Sequence, residues 1–164
     1  NVLRDIDIAL RLERPTQGDM LGRKLCDVAY GLYGSADYIA KHGTVPENGD
    51  LSGHHIVGFS EEDRPVGPVW WLSRAEKAAH VVMRSSSVAT RLGAIETGTA
   101  IGVLPCFIGA QRDDLQPLLG PDMVGTLELW LLTRGDLASL SHVRAVMDFL
   151  VETVAAAMPR LAGH

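Results

Sequence analysis

The chain has 164 residues, of which 46% are apolar and 21% are charged, and its formal net charge is −5. This size and composition are typical of one globular domain, and no apolar run is long enough to span a bilayer. An acidic chain does not favour nucleic acid as a direct partner, because phosphate binding requires clustered lysine and arginine.

The two cysteines, Cys26 and Cys106, lie far apart and belong to no C-x-x-C motif. That spacing argues against both a disulfide framework and a zinc ribbon. We expect free, buried thiols, as in a reducing compartment, and therefore a cytoplasmic protein. No basic and apolar leader is visible in the sequence.

Period-two alternation predicts the first strand, since apolar residues recur from Ile6 to Leu12 with polar or small residues between them. Arg11 stands near the carboxyl end of this strand, where open α/β sheets bind their ligands. The alternative for Arg11 is an ordinary surface or ion-paired arginine. A second strand is predicted over residues 28–33, which are rich in β-favouring side chains.

A short structural helix is predicted after Ser35, because that serine can cap its start and Gly43 can end it. Further strands are predicted over residues 56–59, from 70 onwards, over 79–83 and over 127–133. The pair Trp70 and Trp71 is interpreted as one core and one interface residue, rather than as a stacking surface for a ligand.

The stretch from residue 85 to 109 carries the clearest local signals. Val88, Leu92 and Ile95 recur at helical spacing and predict a helix, which the three serines before Val88 can cap. Gly98 suits the left-handed conformation that commonly ends a helix. The apolar run 101–104, ended by Pro105, is typical of a buried parallel strand. The start of such a helix offers free amides, hydroxyls and a positive dipole end to a carboxylate or phosphate. The alternative is that the serines only cap the helix.

The last helix is predicted from apolar residues at i, i+3, i+4, i+7, i+8 and i+11, beginning at Val143. Ser139 or Ser141 can cap its start, and Pro159 is expected to close it. Strands that alternate with helices predict an α/β fold with mainly parallel sheets.

Neither a metal site nor an enzyme is predicted. His54 and His55 are adjacent and point apart on a strand, without a third ligand at matching spacing. The sequence contains no G-x-S-x-G, H-E-x-x-H, Walker or dinucleotide motif, and no cofactor is implied.

Five segments, in order, resemble the effector-binding domain of LysR-type transcriptional regulators. Residues 93–105 (GAIETGTAIGVLP) resemble the family's A-x-x-x-G-x-G-I-x-x-L-P signature. They depart from it at the turn, where Thr99 and Ala100 stand and the family usually has glycine. The others are residues 5–11 (DIDIALR), 32–43 (LYGSADYIAKHG), 46–54 (PENGDLSGH) and 143–150 (VRAVMDFL). The family's helix-turn-helix, its linker helix and the opening strand–helix–strand of the effector domain have no counterpart in this chain.

The resemblance implies a periplasmic-binding-protein-like (type II) fold of two small α/β lobes with mainly parallel sheets and flanking helices. Lobe one would comprise about residues 1–57 and 131–164, and lobe two about residues 58–130. The crossings would lie near residues 57–59 and 129–131. Family motif positions place a ligand between the lobes, at strand ends and helix starts, against Arg11, Ser60, Ser86, Ser87, Val88, Pro105 and Phe107.

In this interpretation Arg11 supplies charge, the serines and nearby amides hold a carboxylate, and the remaining residues form an apolar wall. The expected function is binding of a small organic effector that shifts the balance between conformations or packings. DNA would be bound only through the absent helix-turn-helix, by a full-length homodimer or homotetramer. A stand-alone solute-binding protein of a transport system, with the same fold, is the alternative.

Overall fold

A computed structural model of the chain describes residues 8–15, 18, 20–136, 138 and 140–162. Its strands are β1 (Ile8–Arg11), β2 (Met20–Ser35), β3 (His55–Gly58), β4 (His80–Arg84), β5 (Ile101–Pro105), β6 (Leu115–Leu119) and β7 (Thr126–Arg134). Its helices are α1 (Ala36–His42), α2 (Pro68–Ala75), α3 (Val88–Glu96), α4 (Cys106–Gly109), α5 (Pro121–Val124) and α6 (Ser141–Leu161), with a short 3-10 turn at Glu76–Ala78. The part of the predicted first strand before Ile8 lies outside the described residues.

The chain divides into two compact units. Unit one runs up to Val28 and resumes from Leu127 to Ala162, and unit two comprises Ala29–Thr126. The first boundary falls inside β2, far from the predicted crossing near residue 57, and the second falls at the start of β7. The length of β2 could not be seen in the sequence, because the exposed residues at its beginning resemble a loop more than a strand.

In unit one, β1 pairs antiparallel with β7, and β7 also neighbours β2. Helix α6 buries Val143 and Val154, whereas Val146, which was predicted on its core face, is 47% exposed. Of the two serines predicted to cap this helix, Ser139 lies outside the described residues, and Ser141 is its first helical residue, after Leu140 and without a side-chain cap. The predicted end at Pro159 is wrong, because the helix passes through it to Leu161. A proline so close to a helix end removes a hydrogen bond only from the last turns, which makes it tolerable there.

In unit two the strand order is β2-β5-β3-β4, with β6 also paired to β2. Strand β3 is parallel to both β4 and β5, while β2 is antiparallel to β5 and β6. The sheets are therefore mixed, and the prediction of mainly parallel sheets is wrong. The α/β class itself is confirmed.

Helix α3 packs on the unit-two sheet through Leu92 and Ile95, and its end follows the predicted pattern, with Gly98 at φ 78°. Gly102 of β5 has no room for a side chain, because an added Cβ would overlap Val57 of β3. The fully buried apolar side chains of unit two include Leu32, Ile56, Val57, Ile95, Ile101, Val103 and Leu104. Removing each from water stabilises the fold by roughly 1.5–3 kcal/mol.

One predicted strand is a helix. Trp70 and Trp71 lie in α2, which begins with Pro68 at its first turn after Gly67 at φ 53°. Proline suits the first helical turn because its missing N–H would have no helical partner there. Trp70 is 51% exposed and stacks with Arg74, whose Cζ lies 4.9 Å from the ring centroid.

Candidate functional site

Three parallel strands of unit two bring their carboxyl ends to one edge of the sheet. Ser60 follows β3, the serine run follows β4, and Phe107 follows β5. The segments after β3 and β4 are joined directly, because the Ser85 amide donates to the Gly58 carbonyl at 3.0 Å. In open α/β sheets this edge is where ligands bind. We refer to these strand ends, together with the start of α3, as the carboxyl edge.

The serine run forms the start of α3. The Ser87 hydroxyl accepts a hydrogen bond from the Thr90 amide at 3.2 Å, and the Ser85 hydroxyl accepts one from the Ser87 amide at 3.0 Å. The capping interpretation is thus confirmed for Ser87. Ser86 is exposed, and its hydroxyl makes no hydrogen bond within the described part of the chain.

The first turn of α3 keeps part of its capacity to bind an anion. The first amides of any helix have no partner inside the helix, and the serine cap satisfies only that of Thr90. The amides of Val88 and Ala89 remain as donors at the positive end of the helix dipole. Together with the Ser86 hydroxyl they can hold a carboxylate or phosphate oxygen.

A buried arginine joins the three strand ends, and the sequence prediction missed it. Arg91 is only 2% exposed. Its Nη1 donates to the Ser85 carbonyl at 3.0 Å, its Nε donates to the Val103 carbonyl at 3.3 Å, and its Cζ lies 4.4 Å from the centroid of the Phe59 ring. Residue 91 is three after Val88 and four before Ile95, so its place on the apolar face of the helix was a signal present in the sequence.

Beside the serine run, the segment after β3 borders a cavity of about 280 Å³ within unit two. Its lining is apolar and acidic with one cation, and comprises Phe59, Ser60, Glu61, Asp63, Pro65, Val69, Ser73, Glu76 and Arg84. Arg84 forms an ion pair with Glu76 at 2.7 Å, and the Asp63 carboxylate accepts from the Ser60 amide at 3.0 Å. The Arg84–Glu76 pair holds the pKa of the Arg84 guanidinium above its usual value.

The opposite edge of the same sheet is a connected network of aromatic and histidine side chains. The Tyr38 hydroxyl lies 2.8 Å from His54 Nδ1 and accepts a hydrogen bond from the His55 amide at 3.0 Å. His55 and His80 begin β3 and β4, with ring centroids 5.4 Å apart. Among the described residues, no group of three or more His, Cys, Asp or Glu side chains is arranged to hold a metal ion. Within unit two, these histidines are at the far ends of the strands from the serines.

Residues 2–155 match the family described as the LysR substrate binding domain. The chain belongs to this family. The probable HTH-type transcriptional regulator LtrA of Klebsiella pneumoniae is 29% identical over 161 residues, covering 92% of this chain and 52% of LtrA. The chain therefore spans about half the length of that relative.

Solved structures share this LysR-domain fold. The regulatory domain of CrgA from Neisseria meningitidis aligns with a TM-score of 0.75 at 27% identity, over 93% of this chain and 78% of that one. The effector domain of AmpR from Pseudomonas aeruginosa aligns with a TM-score of 0.71, over 96% of this chain and 76% of that one. At 15% identity, the likeness to AmpR concerns the fold alone.

These comparisons confirm the resemblance and the α/β class. The LysR substrate-binding domain is a ligand-binding domain of regulators and not an enzyme, as the sequence predicted. The same relatives favour a regulator over the alternative of a solute-binding protein for transport. No described helix is long and apolar enough to cross a bilayer.

The seven predicted contact residues of this LysR domain are distributed over both units. Ser60, Ser86, Ser87, Val88, Pro105 and Phe107 belong to unit two and follow or end its parallel strands, while Arg11 belongs to unit one, on β1 opposite Trp130. Pro105 is buried at the end of β5 and Phe107 is half-buried in α4. Val88 packs partly against the core beneath α3, so only part of it can face a ligand.

Both thiols are free in the structure, with Cys26 buried and Cys106 half-buried. Burial raises the pKa of each thiol. Both therefore remain protonated and weakly reactive near neutral pH. Neither contributes a nucleophile to the candidate site.

Proposed function

We propose that the full-length protein is a LysR-type transcriptional regulator, and that this domain controls it by binding a small organic acid at the carboxyl edge. The observation that carries the proposal is the start of α3. There, two free amides and the exposed Ser86 hydroxyl stand at the ends of three parallel strands. Donors that converge at a positive dipole end favour a carboxylate over a neutral ligand.

The proposed contacts in unit two are Ser60, Ser86, Ser87, Val88, Pro105 and Phe107. Ser86 and the first-turn amides hold the acid, while Pro105 and Phe107 supply apolar surface for the rest of the molecule. Ser87 serves mainly as the helix cap that keeps those amides in place. Arg11 remains a prediction made from the sequence.

Regulation would follow from linkage. An effector that binds one conformation or packing of the domain more tightly than another shifts the population by that difference in affinity. We place the protein in the cytoplasm, as a homodimer or homotetramer at full length. DNA contact would come from a helix-turn-helix outside these 164 residues, since the relative LtrA is a probable HTH-type regulator.

The first experiment is an effector screen of the 164-residue chain by thermal shift, followed by calorimetry. The screen should contain aromatic carboxylates, amino acids, sugar acids and neutral analogues of each. We expect at least one acid to bind, and Ser86→Ala to weaken its binding without lowering the melting temperature. A screen in which no compound of any charge binds would count against an effector domain.

A second experiment tests the absence of direct DNA binding. Because the chain is acidic, we expect no shift of duplex DNA by this chain in a gel assay at physiological salt. The control is the full-length protein on the same duplex. A salt-sensitive shift by the 164-residue chain alone would contradict the proposed division of roles.

A further inference from the structure

Arg91 is a buried charge that forms no ion pair with any of the described residues. Its hydrogen-bond partners are two backbone carbonyls, and an aromatic ring lies against its guanidinium. Within the described part of the chain it forms no ion pair with a carboxylate. Burying an ionised group without an opposite charge is costly, and folded proteins rarely retain such a group unless a partner compensates it.

A neighbouring arginine shows what compensation looks like in this fold. Arg84, at the end of β4, is 36% exposed and nevertheless pairs with Glu76 at 2.7 Å. Arg91 is far more buried and has no such partner. The carboxylate whose charge acts on Arg91 is that of Asp63. This carboxylate accepts a hydrogen bond from the Ser60 amide at 3.0 Å. Tyr30 is the other titratable neighbour, and burial raises the pKa of its phenol, so that it stays neutral.

The guanidinium remains charged in this setting. Burial lowers the pKa of Arg91, but an arginine loses its proton only far above neutral pH. Its Nη2 makes no hydrogen bond within the described part of the chain, so the group retains donor capacity. The neighbouring Nη1 donates to the carbonyl of Ser85, which is the residue before the exposed Ser86 and three residues before Val88, the first residue of α3.

We infer that Arg91 supplies the counter-charge for the acidic group of the effector, and thereby makes this site select anions over neutral molecules of the same shape. The inference rests on the proposed function and adds to it a residue that determines specificity. The stabilisation is mutual, because the anionic ligand neutralises a buried cation and the cation attracts the anion. The Ser86 hydroxyl and the amides of Val88 and Ala89 complete the donor set.

A purely structural role is the competing explanation, because Arg91 also ties together β3, β5 and the segment after β4. The two explanations differ in what they predict for ligand charge. A structural tie would affect acids and their neutral amides equally. A counter-charge would affect only the acids.

The test uses three aromatic acids, benzoate, nicotinate and salicylate, each beside its primary amide, titrated into ¹⁵N-labelled 164-residue chain. We expect at least one acid to give saturable shifts of the Arg91 side-chain Nε–H and of the Ser86–Ala89 amides, and the primary amide of that acid to give none.

Arg91→Gln should weaken binding of that acid by about thirtyfold. Arg91→Lys should retain part of the affinity, because it keeps the charge but loses the fork geometry. Arg74→Gln, which removes an exposed arginine of the same unit, is the matched control and should leave binding unchanged.

Two results would overturn the inference. One is equal affinity of the wild-type chain and Arg91→Gln for an acid, and the other is the absence of any acid-dependent change at the Arg91 Nε–H. If Arg91→Gln does not fold, the wild-type spectra and Arg91→Lys still decide the question. Failure of the proposed function would look different, because the broader screen would then find no ligand of any charge.

Discussion

The carboxyl edge of the unit-two sheet and the opposite edge, here called the amino edge and formed by Tyr38, His54, His55 and His80, use their polar side chains differently. At the amino edge, Tyr38 is fully buried and its hydroxyl serves both His54 Nδ1 and the His55 amide. At the carboxyl edge, Arg91 is almost as buried, and among the described residues it contacts two carbonyls and a ring without forming an ion pair. The amino edge is complete within the protein, while the carboxyl edge has donors and charge left over.

This difference separates a structural polar cluster from a binding site. A buried polar group that is fully satisfied stabilises one conformation and needs nothing further. A surplus of donors and positive charge is stable only if solvent or a ligand completes it. Mutations at the amino edge should therefore change stability, and mutations of the unpaired donors at the carboxyl edge should change binding.

The largest expected effect is at the amino edge. Tyr38→Phe removes one hydroxyl and leaves both His54 Nδ1 and the His55 amide without that partner. We expect the free energy of unfolding to fall by about 2 kcal/mol, measured by urea denaturation. Effector affinity, measured well below the melting temperature, should not change.

The matched control for that substitution is Tyr33→Phe. Tyr33 is another buried tyrosine of unit two, but its hydroxyl interacts with the Cys106 thiol, which is a weak hydrogen-bonding group. Its loss should cost less than the loss of the Tyr38 hydroxyl. If the two variants are destabilised equally, the amino edge has no special role in stability.

A smaller effect is expected at the α3 cap. Ser87→Ala removes the acceptor of the Thr90 amide and should cost about 1 kcal/mol of stability. Ser86→Ala removes an exposed hydroxyl and should change stability by less than about 0.5 kcal/mol. Thermal denaturation of the two variants side by side distinguishes them. The reverse order would show that the cap is assigned to the wrong serine.

The amino edge should also respond to pH. Burial lowers the pKa of His54, and the nearby His42 and His55 lower it further. A hydrogen bond to the backbone of Thr44 and the charge of the Asp50 carboxylate raise it by less. The unfolded chain then binds a proton more readily than the folded chain. The stability contributed by neutral His54 is therefore present above the unfolded pKa of about 6.5 and declines as the pH falls through it. Denaturation at pH 7.5 and pH 5.5 should show a smaller decline for His54→Asn than for the wild-type chain.

Much of the fold could be predicted because local signals agreed with the tertiary structure. Ser35 caps α1 and Gly43 ends it, just as Gly98 ends α3 before the buried strand β5. Each of these features depends on a few adjacent residues. The family could also be predicted, since five motifs in the expected order cover most of the chain.

The errors lie where tertiary contacts overrule local preference. Trp70 and Trp71 favour a strand by composition, yet Pro68 and the docking of Leu72 make this segment a helix. The start of β2 is exposed, and its apolar residues Met20, Leu21 and Leu25 do not alternate with period two, so no strand pattern marks it. At the candidate site, the serine run could be recognised directly from the sequence. The burial of Arg91 could not, because it depends on Phe59 and Val103, which are remote in sequence.

A small expected effect on stability is the most informative about the difference between the two edges. Arg91→Met replaces a buried, uncompensated cation by an apolar side chain of similar length. The loss of two hydrogen bonds to carbonyls is offset by the removal of a desolvated charge, so stability without ligand should change by less than about 1 kcal/mol. Arg84→Met is the contrasting variant, because it leaves the Glu76 carboxylate, whose side chain is only 10% exposed, without its partner and should be the more destabilised of the two. If Arg91→Met proved the more damaging in urea denaturation, Arg91 would be a structural tie, and the carboxyl edge would be as complete as the amino edge.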